Sequence, residues 1–304
     1  MRLASIDIGS YSVRLSVGEI KEGNLRIILD KGRITALGKK VKETGLLQED
    51  RILETLQVLK EYKEDIERLG VERVVVVGTE AIRRAKNGEE FVKRVKEKIG
   101  FELRVIPPEE EGRLAYLGAI FSLKVKGKNC VVDQGGGSTE YVFGEDLEVK
   151  DLLSFPFGIV NLTETFLKHD PPKEEEIKEL SEFLEKEIKK VKRSVDNLIG
   201  IGGTITTLAA LEYGVYPYEP QKVHGKPLTY EQIKKWFEEL RKIPAKERSK
   251  RYKQVEDKRA EVILAGILIF LKTLEVFERE ELTVSDWGLR EGILVEEFLK
   301  TTKK

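Results

Sequence analysis

The sequence is poor in the residues that support redox chemistry, metal clusters and covalent catalysis. Its 304 residues include one cysteine, Cys130, and two histidines, His169 and His224. One cysteine excludes an internal disulfide and a cysteine metal cluster, and we expect it to be buried packing. Neither histidine has a metal-ligand spacing and no Ser-His-Asp or Cys-His arrangement is visible, so both histidines are interpreted as structural.

Net charge and long apolar segments are lacking as well. The 54 basic and 54 acidic residues cancel, so the whole molecule is not drawn to nucleic acid or a membrane, and any polyanion must be attracted locally. The longest apolar run, residues 262–271, is too short to span a bilayer. Asp7 interrupts the apolar start before a signal peptide could form. These features predict a cytoplasmic protein with no nucleic-acid or membrane partner.

The residues that are abundant indicate a globular protein. Hydrophobic residues make up 40% of the chain and are grouped in runs, and the length favours two domains. The charged fraction of 36%, together with a single methionine, is typical of a thermophile.

The first half is predicted to be a mixed sheet with covering helices. Three short segments separated by turns, residues 3–8, 13–20 and 25–29, indicate an antiparallel meander. A buried, parallel strand is expected over 74–77 and a further strand over 103–106. Helices are expected after Thr79, over 91–99 and after Pro108. Another helix, ended by Gly70, is predicted by apolar residues at helical spacing: Ile52, Leu53, Leu56, Leu59, Tyr62, Ile66 and Leu69.

The pattern then restarts in the second half. Strands over 130–133 and 139–143 flank a glycine turn, and a charged helix over 177–191 leads to a strand over 198–201. The remaining predicted elements are a helix over 205–211, a buried helix over 259–273, a strand over 282–284 and a terminal helix over 292–299.

The two halves share a motif and a spacing. Residues 7–12 (DIGSYS) and 133–138 (DQGGGS) both fit D-x-G-x-x-S between two apolar strands. Later, a strand ends in Gly-Thr and enters a helix at Thr79 and at Thr204, which follow Asp7 and Asp133 by 72 and 71 residues. This agreement predicts an internal structural repeat. We expect two similar domains, residues 1–123 and 124–304, and leave open that the terminal helix packs back on the first.

The glycine-rich turns are candidate phosphate cradles. Such a turn after a strand leaves backbone N–H groups pointing outward, where an anion can bind. Gly135–Gly137 would let a phosphate approach the backbone, and Ser138 adds a donor. Gly202, Gly203 and Thr204 add a helix N-terminus, whose partial charge favours anions. The alternatives are an ordinary glycine hairpin and a simple strand-to-helix loop.

Four carboxylates are candidate metal ligands or catalytic groups. Asp7 and Asp133 stand where strands end at these turns, suitable for holding Mg²⁺ directly or through water, although either could instead cap its turn. Glu140 shares a strand face with Ser138 and could reach a water beside a bound phosphate, or could face solvent. Glu111 lies in an acidic triplet that could simply complement a helix dipole.

Two arginines lie in apolar neighbourhoods. Arg14 and Arg259 could pair with phosphate bidentately, or could simply be exposed. Arg83, Arg84 and Lys86, on the helix after Thr79, are weaker candidates of the same kind.

Taken together, these segments resemble the exopolyphosphatase and guanosine pentaphosphate phosphohydrolase family, within the actin and sugar-kinase superfamily of duplicated ribonuclease-H-like domains. The resemblance covers nearly the whole chain. Single motifs are shared by the superfamily, but the ordered series is specific to the family. It consists of IDIGSYSVRL (6–15), VGTEAIRRAKN (77–87), EEEGRLAYLGA (109–119), VVDQGGGSTEYVFG (131–144), FGIVNLTETF (157–166), IGIGGTITTLAAL (199–211), VHGKPLT (223–229), RAEVILAG (259–266) and VSDWGLREGIL (284–294).

The resemblance implies an α/β fold of two ribonuclease-H-like, actin-like ATPase domains, with mixed five-stranded sheets flanked by helices and an interdomain cleft. It implies Mg²⁺ as cofactor and polyphosphate and guanosine penta- and tetraphosphate as ligands, and it leaves a homodimer open. Tyr11, Gln134 and Gly112 depart from the family pattern, where an Asn, an aliphatic residue and an Ala are usual.

The resemblance also assigns roles residue by residue. Glu111 matches the glutamate proposed as general base or water activator, and Asp133 and Glu140 match acidic residues associated with the metal and with catalysis. Together with Asp7, which is expected from its place at a strand end, Asp133 and Glu140 are the predicted metal ligands, and Glu111 and Glu140 the predicted catalytic residues. Residues expected to bind phosphate or substrate are Gly9, Ser10, Ser12, Arg14, Thr79, Gly135, Gly136, Gly137, Ser138, Gly202, Gly203, Thr204 and Arg259.

We therefore predict a phosphohydrolase that releases terminal orthophosphate from inorganic polyphosphate, guanosine pentaphosphate or both, by in-line attack of water. One alternative is a sensor that binds guanosine tetra- or pentaphosphate with little or no catalysis. The other is a kinase or ATPase of the same superfamily. Which glutamate activates the water is left open.

Overall fold

The structure is a computed structural model that describes residues 1–302. Contacts between residues divide the chain into two compact units. The first contains Met1–Phe121, the three glycines Gly135–Gly137 and the segment that starts at Gly288; the second contains Ser122–Gln134 and Ser138–Trp287. The domain boundary after residue 123 stays a prediction.

Strands and helices alternate through residues 1–302. The strands are β1 (Arg2–Ile8), β2 (Ser12–Lys21), β3 (Asn24–Ile34), β4 (Arg73–Gly78), β5 (Leu103–Val105), β6 (Lys128–Gln134), β7 (Thr139–Glu145), β8 (Glu148–Phe155), β9 (Asn197–Ile201), β10 (Pro227–Thr229) and β11 (Glu281–Ser285). The helices are α1 (Val41–Thr44), α2 (Glu49–Arg68), α3 (Glu80–Arg84), α4 (Gly88–Ile99), α5 (Pro108–Leu123), α6 (Ile159–Phe166), α7 (Glu174–Ile188), α8 (Gly203–Glu212), α9 (Pro220–Val223), α10 (Tyr230–Arg241), α11 (Ala245–Arg251), α12 (Asp257–Ala260), α13 (Ile263–Phe277) and α14 (Leu289–Thr302).

The first unit is built on a five-stranded mixed sheet in the order β3-β2-β1-β4-β5. β1, β2 and β3 pair antiparallel, which confirms the predicted meander. β4 is parallel to β1, and β5 is parallel to β4. Because parallel strands end at the same edge of a sheet, the turn after Ile8 and the turn after Gly78 lie side by side.

The second unit repeats this topology. Its sheet has the order β10-β11-β9-β6-β7-β8, so β8-β7-β6-β9-β11 corresponds strand for strand to the first sheet. β6 and β7 are antiparallel, whereas β6, β9 and β11 are parallel. The prediction of two mixed sheets is confirmed. The second sheet has a sixth strand, β10, that the sequence pattern did not predict.

A matched irregularity supports the internal repeat. The register between the second and third strands shifts at Val17/Gly18 in one sheet and at Phe143/Gly144 in the other. Gly18 follows Asp7 by 11 residues, and Gly144 follows Asp133 by 11 residues. A bulge inserts one residue and bends its strand, and related sheets keep such bulges at the same place.

Helix α2 covers the first sheet with the apolar face that its spacing predicts. Ile52, Leu59 and Ile66 on that face are buried, and each such side chain contributes roughly 1.5–3 kcal/mol when fully removed from water. The Tyr62 hydroxyl donates to the Val13 carbonyl at 2.8 Å, so the polar atom on this face is paired. Leu53 does not belong to the face: 54% of it is exposed, because it follows Ile52 directly and so points about 100° away around the helix.

Other elements differ from the sequence-based expectations. The helix expected over 259–273 is two helices, α12 and α13, because Val262 has φ −123° and ψ −4°, outside the helical region. Almost every residue of α13 is buried, as predicted. The pattern also missed β8, α6 and α10.

The terminal helix α14 belongs to the first unit, where it crosses α5 at glycines. A Cβ atom added to Gly292 would lie 1.8 Å from the Leu114 carbonyl oxygen, and one added to Gly118 would lie 2.4 Å from the Gly288 carbonyl oxygen. The Ser5 hydroxyl on β1 donates to the Arg290 carbonyl at 2.6 Å. The two helices therefore touch backbone to backbone.

Over the part of the chain that the structure describes, no helix is both long and apolar enough to cross a membrane.

Candidate functional site

The turn between β1 and β2 is closed by its own backbone. Gly9 N–H donates to the Ser12 carbonyl at 3.0 Å, and the Ser10 carbonyl accepts from Gly38 N–H at 2.6 Å. The Tyr11 carbonyl accepts two further N–H bonds from the chain that follows β3. Tyr11 is buried. The residue at which the sequence departs from the family pattern is therefore held within the fold of the turn.

Asp7 lies at the end of β1, opposite Arg14 on β2. Its Oδ1 atom is buried and has no hydrogen-bond partner among the described residues. Burial raises the pKa of Asp7 to about 6, although the charges of Arg290 and Arg14 oppose this shift. A buried carboxylate oxygen without a donor destabilises a protein. That arrangement is expected of a ligand to a cation.

Arg290 on α14 is a charged group of this region that the sequence reasoning missed. Its guanidinium forms two bonds with the Asp30 carboxylate, at 3.0 and 2.9 Å, and contacts Glu291 at 2.9 Å. Burial by itself would raise the pKa of Asp30. The charge and hydrogen bonds of Arg290, followed by the charge of Arg14, outweigh this effect, so the pKa of Asp30 is lowered. The only signal in the sequence was an Arg-Glu pair at the start of the terminal helix, before its apolar run Ile293–Val295.

The three glycines Gly135–Gly137 contact the first turn inside the first unit. A Cβ atom added to Gly136 would lie 2.9 Å from Ser10 Cβ, and one added to Gly137 would lie 3.1 Å from Ser10 Oγ. Side chains are therefore excluded at both positions. The structure brings the glycine turn of the second D-x-G-x-x-S segment against Ser10, which lies inside the first.

Thr79 and Glu111 lie in the same unit. Thr79 is buried at the start of α3, and its N–H donates to the Ile8 carbonyl at 3.3 Å. Glu111 is buried in the first turn of α5, with Arg83 Nη1 at 3.6 Å from its Oε2. Arg83 also pairs with Glu80, at 2.6 Å. Glu111 is thus buried among charged groups, whereas Glu109 in the same turn is exposed.

In the second unit, Asp133 on β6 faces Glu140 on β7 in the antiparallel register. Glu140 is almost fully buried, so it is not the solvent-facing residue that the sequence left open. Its Oε1 accepts a hydrogen bond from the Ser154 hydroxyl at 2.9 Å. Ser138, just before β7, is buried too. Two carboxylates on adjacent strands can share a cation, since otherwise they repel each other.

The internal repeat allows the residues opposite Asp7 and Asp133 to be compared. Arg14 lies opposite Asp7, and Glu140 lies opposite Asp133, at equivalent places in the two sheets. The first half therefore has an arginine beside its aspartate, and the second half has a glutamate beside the equivalent aspartate. The first pair thus combines opposite charges, whereas the second pair combines like charges.

The N-terminus of α8, with Arg259 beside it, is a candidate anion site. A Cβ atom added to Gly203 would lie 2.1 Å from Arg259 Nη2, so the guanidinium occupies the space that a side chain would fill. Gly202 has φ +113°, and a Cβ atom there would lie 2.6 Å from the Gln134 carbonyl oxygen. An arginine at the positive end of a ten-residue helix suits a phosphate group.

Thr204 and Gln134 complete the packing behind this turn. Gln134 Nε2 donates to the Gly266 carbonyl at 2.8 Å, and a Cβ atom on Gly266 would lie 2.2 Å from Thr204 Oγ1. Thr204 Oγ1 and Gln134 Oε1 are buried with no hydrogen-bond partner in residues 1–302. The unusual Gln134 thus ties β6 to α13.

We expect Gly203→Ala to weaken substrate binding without unfolding the protein. The added methyl group displaces the flexible end of Arg259 rather than backbone, and losing a hydrogen bond to a charged group costs about 1.5–3 kcal/mol. KM in a phosphate-release assay should therefore rise roughly 10- to 100-fold.

Arg259→Ala is the matched control for this prediction. Because both changes remove the same contact, the double variant should be no worse than Arg259→Ala alone. Independent, additive losses would show that Gly203 acts in some other way.

Comparison with known proteins identifies the family to which the chain belongs. Residues 16–301 match the model of the Ppx/GppA phosphatase family. The chain belongs to the Ppx/GppA phosphatase family. This confirms the resemblance seen in the sequence.

The relatives include enzymes of two specificities. Exopolyphosphatase 2 of Mycobacterium tuberculosis is 31% identical over 96% of this chain and 97% of its own length. A guanosine-5'-triphosphate,3'-diphosphate pyrophosphatase of Photobacterium profundum is 25% identical over 98% of this chain and 59% of its own. A bifunctional 3-dehydroquinate synthase/phosphatase of Fusobacterium nucleatum is 29% identical over 96% of this chain and 46% of its own length. The chain spans about half the length of the last two relatives. The prediction of a phosphohydrolase agrees with the family and with the names of these relatives.

A solved Ppx/GppA structure confirms the fold class. The crystal structure of the Aquifex aeolicus family member is 68% identical to this chain, covers 99% of it and 98% of its own chain, and superposes with a TM-score of 0.87.

Proposed function

We propose that this protein is a phosphohydrolase that releases terminal orthophosphate from inorganic polyphosphate, guanosine pentaphosphate or both. The observation that carries the proposal is the pair Asp133 and Glu140, two opposed carboxylates beside a glycine turn. Such a site suits activation of water more than formation of a covalent intermediate.

The residues fit Mg²⁺ as the cofactor. In the first unit, Asp7 offers a buried oxygen with no hydrogen-bond partner among residues 1–302. In the second unit, Asp133 and Glu140 offer opposed carboxylates. Mg²⁺ prefers such oxygen ligands and takes its remaining ligands from water and phosphate. When bound, it would neutralise charge that develops on the transferred phosphoryl group.

The chain's own groups would position the substrate and the water. Arg14, Arg259 and the N–H groups at the start of α8 would hold phosphate oxygens. Glu111 or Glu140 would orient the attacking water and accept its proton. Because phosphoryl transfer depends mainly on positioning and charge neutralisation, these groups account for most of the catalysis that we expect.

Two substrates fit this chemistry, because both end in a phosphoanhydride. The names of the relatives include an exopolyphosphatase and a guanosine pentaphosphate pyrophosphatase. The kinase or ATPase alternative is not favoured, since the family match is to phosphatases. The sensor alternative predicts binding of guanosine tetraphosphate without phosphate release.

One assay separates these proposals. Phosphate release would be measured with Mg²⁺ from long-chain polyphosphate, guanosine pentaphosphate and ATP, side by side. We expect release from at least one of the first two and little from ATP. Release only from ATP would favour the ATPase, and binding of guanosine tetraphosphate with no release would favour the sensor.

Five features stay predictions from composition or resemblance. They are the cytoplasmic location, the thermophilic source, a role in the stringent response, the homodimer and the absence of a nucleic-acid partner.

Removing divalent metal with a chelator should abolish phosphate release if the assigned cofactor is right.

A further inference from the structure

Three exposed tyrosines follow one another closely in the sequence of the second unit, directly after α8. Tyr213, Tyr216 and Tyr218 are 37%, 59% and 43% exposed. They occupy the segment between α8 and α9. We call these three residues the tyrosine surface, since exposed aromatic faces can stack on another flat ring.

Lysines lie over two of these rings. Lys226 Nζ is 5.4 Å from the centre of the Tyr213 ring, and Lys253 Nζ is 5.7 Å from the centre of the Tyr216 ring. Both distances are within the range of cation–π attraction. The surface therefore combines aromatic faces with positive charge, which suits a flat ring carrying an anionic chain.

Hydrogen bonds hold the tyrosines in place. The Tyr218 hydroxyl donates to the Asp286 carboxylate, and the Tyr213 hydroxyl donates to the Pro227 carbonyl at 2.6 Å. Asp286 N–H in turn donates to His224 Nδ1 at 3.0 Å. Burial lowers the pKa of His224, although Asp286 opposes the shift, so the ring stays neutral and able to accept this bond. Tyr218 is thus a fixed ring rather than a mobile one.

The anchored tyrosine lies at the same sheet edge as the α8 anion site. Ser285, the last residue of β11, pairs with Ile201, the last residue of β9, and the two strands are parallel. Asp286 and Gly202 therefore follow neighbouring strand ends, about 5 Å apart in the sheet. A ligand one nucleoside long could reach from Tyr218 to the start of α8.

We propose that Tyr216 and Tyr218 of this tyrosine surface stack the nucleobase of a guanosine polyphosphate whose phosphates lie at the start of α8. The proposal rests on the proposed function and adds a selectivity to it. Inorganic polyphosphate has no base, so it makes no use of these rings. The two candidate substrates would then share the phosphate groups of the site and differ at Tyr216 and Tyr218.

The test compares the two ligand classes in Tyr218→Ala. Because stacking on one aromatic side chain accounts for roughly a tenfold or greater change in affinity, KM for guanosine pentaphosphate should rise about tenfold. The Kd of guanosine tetraphosphate, measured by calorimetry, should rise equally. KM for long-chain polyphosphate should not change. Tyr218→Phe keeps the ring and should retain most of the affinity, and Leu147→Ala, at another exposed residue of the same unit, should change neither ligand.

Other results would overturn the proposal. An equal rise in KM for polyphosphate would mean that Tyr218 acts through the fold, and an unchanged Kd for guanosine tetraphosphate would mean that the surface does not bind the base. Tyr216→Ala, at the most exposed ring, repeats the test if Tyr218→Ala fails to fold. If the unaltered protein releases no phosphate, the proposed function fails, yet the Kd of guanosine tetraphosphate still decides the role of the tyrosines.

Discussion

Glu111→Gln is expected to lower the turnover number by about 100- to 10,000-fold, the usual contribution of a positioned general base. The change keeps the shape of the side chain but removes its ability to accept a proton. Glu111 is buried in the first turn of α5, and Arg83 Nη1 lies 3.6 Å from its Oε2. The measurement is phosphate release under saturating substrate with Mg²⁺, with KM determined in parallel, and KM should change little.

Glu109→Gln is the matched control, because Glu109 starts the same helix and is exposed. It should retain full turnover and full stability. Glu140→Gln tests the other candidate: the glutamate whose replacement lowers turnover more is the one that activates water. Unchanged turnover in Glu111→Gln would remove its catalytic role and leave Glu140 as the base.

Asp7→Asn is expected to stabilise the metal-free protein while abolishing phosphate release. Burial raises the pKa of Asp7 from the ordinary value of 3.8 to about 6 in the folded chain. The folded state therefore binds this proton more tightly than the unfolded state. Its contribution to stability is complete below pH 3.8 and is lost as the pH rises through 6. At pH 7.5 the asparagine variant should gain about 2–3 kcal/mol in free energy of unfolding.

The pH series supplies the control for this second prediction. Urea unfolding without divalent metal, compared between the two proteins from pH 7.5 down to pH 4.5, should show the gain shrinking as Asp7 becomes protonated. A gain that stays constant would attribute the effect to packing rather than to charge. Added Mg²⁺ should stabilise only the protein that keeps Asp7, since a ligand stabilises the state that binds it.

The sequence predicted the parts of the fold that local pattern controls. The meander of β1, β2 and β3, the glycine turns and the start of α8 follow from apolar runs bounded by turn residues. The internal repeat was visible because both halves keep Asp and Gly-Thr at the same spacing. A third pair, Gly18 and Gly144, lies at matched positions as well, but only the strand registers show that both mark a bulge.

Features set by distant contacts were not predictable in this way. Strand β10 has three residues and exists because it pairs with β11. Arg290 lies 260 residues after Asp30 in the sequence, so no local sequence pattern predicts their ion pair. The burial of Glu140 depends on its place in the second sheet, which alternation along β7 alone did not decide.

The equivalence of Arg14 and Glu140 illustrates the same limit for the site. Each residue was a candidate by itself, yet their relation becomes visible only when both strand registers are known. Opposite charges at matched positions of the repeat leave an arginine beside Asp7 in one half and a carboxylate pair in the other.

The backbone contact between α14 and α5 also bears on synthesis of the chain. The first unit needs Gly292 and Arg290, which leave the ribosome long after β1 to β5 have done so. Chain synthesis proceeds at roughly 5–20 residues per second. Many seconds therefore pass between synthesis of the first sheet and synthesis of α14. During that interval the α5 face that accepts α14 is bare, so a nascent chain halted before residue 288 should expose it to chaperones.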